Sequence, residues 1–157
     1  MALLDVALDC IRRGWYVIPC KPRDKDPLIR TGKGGYTNAS NDETQIRAWW
    51  AKWPDANVGV AVRPSKLTIV DCDHGLKSEA DFYAWREKTG QPLTFTVRTG
   101  RRFNKDTGEP EFGVQAYYQT PDEPVSSMAW DEGTHSGDIR GTWGWSARSF
   151  VPVELLV

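Results

Sequence analysis

Leu4, Ala7, Leu8 and Ile11 recur at the three- and four-residue spacing of a single helical face, and Gly14 stands where a left-handed cap would close the segment. The pattern predicts a first helix. "WYVIPC" then reads as a short buried strand. The stretch after it, "KPRDKDPLIRTGKGGYTNAS", is a loop rich in proline, glycine and basic residues, and structured loops of such length are more often functional than idle. Ser40 and Glu43 have capping-box spacing, and Ile46, Trp49, Trp50 and Trp53 fall at i, i+3, i+4 and i+7 before Pro54, so a second helix is expected there. Its tryptophans are read as core rather than as a platform for stacking bases.

"NVGVAV" and "LTIVDCD" are strand-like segments separated by "RPSK". Ser78 to Lys88 reads as a third helix closed by Thr89 and Gly90. "LTFTVRTG" and "FGVQAYYQT" form a long hairpin joined by the polar "RRFNKDTGEPE". The pattern is weak from Pro121 to His135, and "SGDIRGTWGWSARSFVPVELLV" reads as two or three short strands. With hairpins among its strands and no internal repeat, the chain is expected to be an α+β domain rather than a doubly wound sheet.

Its 157 residues suit one domain over 1–157, either whole or cut short at its C-terminus. With 39% hydrophobic and 26% charged residues and no apolar run of spanning length, a soluble protein outside the membrane is expected. "MALLDVALDCIRRGW" has acids within its apolar stretch and no basic lead-in, unlike a secretory signal. The odd, scattered set Cys10, Cys20 and Cys72 suggests reduced thiols in a cytoplasmic setting. His74 and His135 are the two histidines, too few beside scattered cysteines for tetrahedral zinc. A net charge of −1 decides nothing about a polyanionic partner, which needs only a local basic face.

The chemistry concentrates where "KLTIVDCDHG" ends its apolar run. Residues two apart on a strand share a face, so Asp71 and Asp73 project together with Cα atoms ~7 Å apart, while Cys72 points the other way. Two like charges so close repel unless a cation lies between them. Hard ions such as Mg²⁺ or Mn²⁺ take oxygen ligands, and one or two carboxylates commonly share such an ion with substrate phosphates. An acid pair at a strand end also arises as a solvated loop entry, with His74 as a loop residue in the following turn. A further acid changes the balance: "SGDIRG" carries Asp138 and, two positions on, Arg140, whose guanidinium suits a triphosphate. The bland alternative there is a surface ion pair on an edge strand.

The hairpin adds Thr94, Thr96 and Arg98 on one face of its first strand, and Gln115, Tyr117 and Gln119 on one face of its second. If that polar face joins the acids, it supplies donors for phosphate and sugar. The connecting loop carries Arg101, Arg102 and Lys105, either a track for a nucleic-acid backbone or a solvated tip. Lys25 and Lys33 are further phosphate candidates, but "GKGG" lacks the spacing and terminal Ser/Thr of a P-loop.

Several segments in order, "RRGWYVIPCKPRDKDPL", "TNASNDETQIRAWWAKWPDANVGVAV", "LTIVDCDHG", "TVRTG" and "GDIRG", resemble the N-terminal domain of bifunctional DNA primase/polymerases in the archaeo-eukaryotic primase superfamily. The likeness covers nearly the whole chain. It implies a mixed or antiparallel sheet forming an RRM-like primase palm flanked by helices, in a replication protein of plasmids, phages or prophages. It further implies two metal ions, Mg²⁺ or Mn²⁺, held by Asp71, Asp73 and Asp138, with Arg140 near the incoming triphosphate. Lys25, in "DKDP", matches a lysine commonly found there.

Three departures stand out. Gln115, in "GVQAYY", occupies the place of a histidine usual in such domains, and an amide can hydrogen-bond a phosphate oxygen but cannot carry histidine's charge. "RRFNKDTGEPE" replaces a shorter glycine-rich turn. After "GDIRG" the chain reads "TWGWSARSFVP" where the resembled domains commonly continue with a Gly-Gly-Tyr segment and a proline pair.

Two functions of different kind follow. The first is an enzyme that performs template-directed nucleotidyl transfer on single-stranded DNA from NTPs or dNTPs, with a replicative helicase on another chain or a fused segment. The second is a nucleotide- or single-strand-binding module of the same fold that has lost turnover. A metal-dependent nuclease on the same acids is a third, with His74 as the one histidine beside the motif.

Overall fold

The computed structural model describes residues 2–30, 35–104, 106–120, 125–131, 133, 135–141, 147–150 and 155–156, with backbone alone at 35, 100–102, 147–150 and 155–156. Lys33 and Lys105 lie outside the described residues. The chain forms two compact units. One comprises Met1–Leu67 with Gly144–Pro152, the other Thr68–Trp143 with Val153–Val157.

The first unit starts with α1 (Leu3–Arg12), where Asp5 in the first turn and Arg12 in the last suit the helix dipole. Gly14, at φ +82°, lets the chain turn out of it. β1 (Val17–Cys20) follows, then a short 3₁₀ turn (Gly35–Asn38), α2 (Glu43–Lys52) and β2 (Asn57–Ala61). The N-cap of α2 is Asp42, which accepts from the Gln45 backbone N–H at 2.8 Å, and not Ser40. Ser40 acts one step earlier, its Oγ accepting from the Asp42 backbone N–H at 3.0 Å. A carboxylate at the cap position outcompetes the hydroxyl two residues before it. Ile46 and Trp50 are buried, and the Trp50 indole donates to the Ala56 carbonyl at 3.0 Å, which makes it a satisfied core residue. α1 packs on α2, β1 and β2, and α2 also packs on β1. The sheet runs β1-β2-β8, with β8 at Ala147–Phe150.

The second unit holds a six-stranded sheet, in order β6-β7-β3-β5-β4-β9. Its members are β3 (Leu67–Leu76), β4 (Phe95–Phe103), β5 (Pro110–Gln119), β6 (Met128–Asp131), β7 (Ser136–Arg140) and β9 (Leu155–Leu156). Between β3 and β4 lies α3 (Glu79–Lys88), where Ser78 and Asp81 form a reciprocal capping box. Phe82 and Trp85 of α3 join Cys72, Leu76, Phe112 and Val114 in one buried cluster. Architecture and strand content make this an α+β protein. No helix among the described residues is long and apolar enough to cross a membrane.

Three expectations change. β3 continues through His74 to Leu76, so His74 is a strand residue. The hairpin strands reach further than their alternation suggests: Arg101 pairs with Phe112 and Arg102 with Glu111 in β4 and β5, leaving a short turn in which the Asn104 side-chain Oδ1 accepts from the Asp106 and Thr107 backbone N–H groups. Arg101 and Arg102 are therefore strand residues, and their side chains lie outside the described set. Finally, β6 occupies part of the stretch where no element was expected.

Candidate active site

The site is built by the register of β3 against β7. They run antiparallel with Asp71 directly opposite Asp138 and Ile69 opposite Arg140, so Asp71, Asp138 and Arg140 share one face. A bulge between Cys72 and His74 shifts the register at Asp73. Gly137, opposite Cys72, is indispensable to this approach: a Cβ there would run into the backbone carbonyl of Asp71. Only a residue without a side chain lets β7 lie this close.

Asp71 is fully buried, with 0% of its surface exposed. Its Oδ2 accepts from the Gln115 amide at 3.1 Å and from the Arg140 Nε and Nη2 at 3.4 and 3.3 Å. The same Arg140 Nη2 reaches Asp138 Oδ2 at 2.6 Å. One guanidinium thus bridges two carboxylates across the strand pair. Burial, reinforced by the neighbouring Asp73 carboxylate, pushes the Asp71 carboxyl from its ordinary 3.8 up to about 6, against the opposing pull of Arg140 and Gln115. Desolvation therefore outweighs the cation at this position. On β5, the Gln115 carbonyl oxygen accepts from the Tyr117 hydroxyl at 2.9 Å, and both residues are buried.

Asp73 and Asp138 line a cavity of about 390 Å³ together with His74, Trp130, Asp131 and Ser136. His74 Nδ1 lies 3.5 Å from the buried Glu111 carboxylate. A hydrogen bond from Asn104, assisted by His74 and opposed by burial, holds the Glu111 carboxyl below its ordinary range.

As arranged, no group of three or more His, Cys, Asp or Glu side chains among the described residues forms a ready cage for a metal ion. The donor chemistry nevertheless fits a hard divalent cation. All three acids offer oxygen, and the space between Asp71 and Asp138 already accepts positive charge in the form of the Arg140 guanidinium.

The other expected residues are distributed differently. Val97 pairs with Gln115 and Phe95 with Tyr117, whereas Arg98 pairs with Val114. Directly opposed residues share a face, so Arg98 lies on the far face of the sheet from Asp71 and Gln115. Its guanidinium sits 4.3 Å from the centre of the Phe112 ring. Lys25 belongs to the first unit, in the loop after β1; it is exposed, and its backbone carbonyl accepts from the Tyr36 hydroxyl at 2.7 Å. Gln115 engages Asp71 rather than presenting its amide elsewhere. The tie between Gln115 and Tyr117 and the demand for Gly137 were missed in the sequence. The signals present for them were the i, i+2 spacing on one strand face and the glycine immediately before Asp138.

A family model described as "Bifunctional DNA primase/polymerase, N-terminal" matches residues 7–146, a span that takes in Asp71, Asp73, Gln115, Asp138 and Arg140. A search of curated proteins finds no match.

Proposed function

The chain belongs to the family of N-terminal domains of bifunctional DNA primase/polymerases, and from that premise we propose that it performs template-directed nucleotidyl transfer, making or extending a primer on single-stranded DNA by a two-metal mechanism. The observation that carries the proposal is the register that sets Asp71 opposite Asp138 with Arg140 bridging them. Asp71, Asp73 and Asp138 would hold Mg²⁺ or Mn²⁺, which when bound activates the primer 3′-hydroxyl and neutralises charge on the departing pyrophosphate.

The remaining work falls to the chain's own groups. Arg140, once it leaves the carboxylates, offers a planar fork to the triphosphate oxygens. Burial keeps Asp71 away from competing water, and Asp138, more than a third exposed, faces the side from which substrate enters. Lys25 is proposed as a further phosphate contact, and Arg101, Arg102 and Lys105 as template contacts. No protein nucleophile is required, since phosphoryl transfer rests on positioning and charge. The proposed setting is the cytoplasm, in plasmid, phage or prophage replication, with NTPs or dNTPs as substrate and a replicative helicase as partner.

A second reading is supported by the same Arg140 bridge. A guanidinium that neutralises two acids permanently would leave a nucleotide- or single-strand-binding module without turnover. Incubating the protein with single-stranded template, with and without primer, with NTPs or dNTPs and Mg²⁺ or Mn²⁺, separates the two. Metal-dependent products that lengthen with template and vanish in Asp71→Ala/Asp73→Ala support the enzyme, and the unprimed lane tells priming from extension. A folded protein that binds template but makes no product with any metal supports the module.

A further inference from the structure

The amide of Gln115 lies between two buried partners that leave it a single satisfied orientation. An ionised carboxylate only accepts hydrogen bonds, so Asp71 Oδ2 requires the NH₂ end of the amide, 3.1 Å away. That turns the carbonyl end toward Tyr117, whose hydroxyl must then donate, at 2.9 Å. Reversing the amide would set its oxygen against the carboxylate. With Asp71, Gln115 and Tyr117 exposed by 0%, 2% and 2%, a mismatch at this depth costs far more than at the surface. Tyr117 is itself anchored, its ring meeting Phe95 edge-on at 5.6 Å and 79°.

We propose that Tyr117 is a positioning residue for nucleotidyl transfer, acting through Gln115 to fix the plane of the Asp71 carboxylate so that it meets the metal in one orientation. This rests on the metal role proposed for Asp71. Gln115 and Arg140 converge on the same oxygen, Oδ2. Arg140 must leave for substrate, and Gln115 still holds the carboxylate when it does. In this chain, glutamine at that position serves the acid rather than the phosphate, and Tyr117 dictates which end of the amide the acid sees.

The test is Mn²⁺ affinity of the whole chain, read from the electron paramagnetic resonance signal of free Mn²⁺, for wild type, Asp71→Asn, Tyr117→Phe, Gln115→Met and the double variant Gln115→Met/Tyr117→Phe. Tyr117→Phe keeps the ring and removes one oxygen. It should weaken Mn²⁺ binding by about tenfold or more, the scale of losing a group that orients a ligand. In primer extension it should raise the Mn²⁺ concentration needed for half-maximal rate and leave nucleotide KM unchanged, a split that general loosening of the fold would not give. On the Gln115→Met background, adding Tyr117→Phe should cost nothing further, because the route through the amide is already broken. If Tyr117→Phe does not fold, Gln115→Asn, too short to reach both partners, must show the same weakening.

Wild-type Mn²⁺ affinity in a folded Tyr117→Phe, beside a clear loss in Asp71→Asn, overturns the positioning role and leaves the proposed function standing. A further loss in the double variant overturns the route through Gln115. Unchanged affinity in Asp71→Asn removes the metal role of Asp71, and the positioning role with it.

Discussion

β3 and β5 present two buried faces of opposite chemistry on alternate residues. On one face Cys72, Phe112 and Val114 pack with Leu76, Phe82 and Trp85 of the apolar cluster. On the other, Asp71, Gln115 and Tyr117 form a chain of hydrogen bonds that ends at Arg140 and Asp138. Asp71, Gln115 and Tyr117 are buried as deeply as the apolar cluster, yet the physical basis differs. The apolar face is held by area removed from water and close packing, which many side chains of similar volume can supply. The polar face holds only if each donor meets its acceptor, because an unmatched polar group at that depth is itself destabilising. Volume is the constraint on one side and direction on the other.

The difference can be broken most forcefully on the apolar side. Phe82→Ala removes a ring exposed by 1% and should lower stability by about 3–5 kcal/mol, while activity per folded molecule is retained; urea denaturation alongside primer extension checks both. On the polar side the expected sign reverses. Because folding raises the Asp71 carboxyl from 3.8 to about 6, the native state binds this proton more tightly than the unfolded chain. Stability from this group is greatest below pH 3.8, falls as pH rises through the interval, and is lowest above 6. Asp71→Asn lacks that loss, so in metal-free buffer it should be more stable than wild type by up to roughly 3 kcal/mol at pH 8 and by nothing near pH 3.5, with extension abolished. Denaturant midpoints at the two pH values test it, and equal gains at both would exclude titration of Asp71 as the cause.

Gly137→Ala tests the strand contact on which the polar face depends. Its Cβ would collide with the Asp71 carbonyl, and we expect a loss of about 1–3 kcal/mol together with weaker Mn²⁺ binding; thermal melts and metal titration read the two. Arg98→Ala should have the smallest effect. Its guanidinium lies over the Phe112 ring, so about 0.5–1 kcal/mol of stability should go. Nucleotide KM should move by less than about twofold, and a rise of tenfold in steady-state kinetics would return Arg98 to the phosphate contacts.

Much of this contrast was legible as alternation. The apolar run into Asp71 marked β3, and the spacing of Ile46 and Trp50 marked the buried side of α2. The grouping of Asp71, Asp73 and Asp138 as candidates needed only the acids and their strand ends. What could not be read was register. Whether Arg98 shares a face with Gln115 depends on which residues of β4 and β5 stand opposite, and moving the pairing by one residue reverses the answer. The placement of Asp138 against Asp71 likewise depends on which residues of β3 and β7 stand opposite and on the close approach that Gly137 permits, neither of which leaves a periodic trace. β6 escaped notice because it lies at the edge of the sheet and "MAWD" is largely exposed, so it carries no hydrophobic alternation. The hairpin turn was overestimated because Arg101 and Arg102 look like loop residues although the backbone pairs through them.

The guanidinium bridge also bears on how such a protein is made. A domain whose acids can be neutralised only by an external ion must find that ion to fold, and a chelator then unfolds it. Here Arg140 supplies the counter-charge from within the chain, so the newly synthesised protein can mature in an ion-poor compartment. Under the proposed chemistry, the choice between Mg²⁺ and Mn²⁺ is then deferred from synthesis to each round of turnover, and a bound ion adds stability to a fold the chain can reach without it.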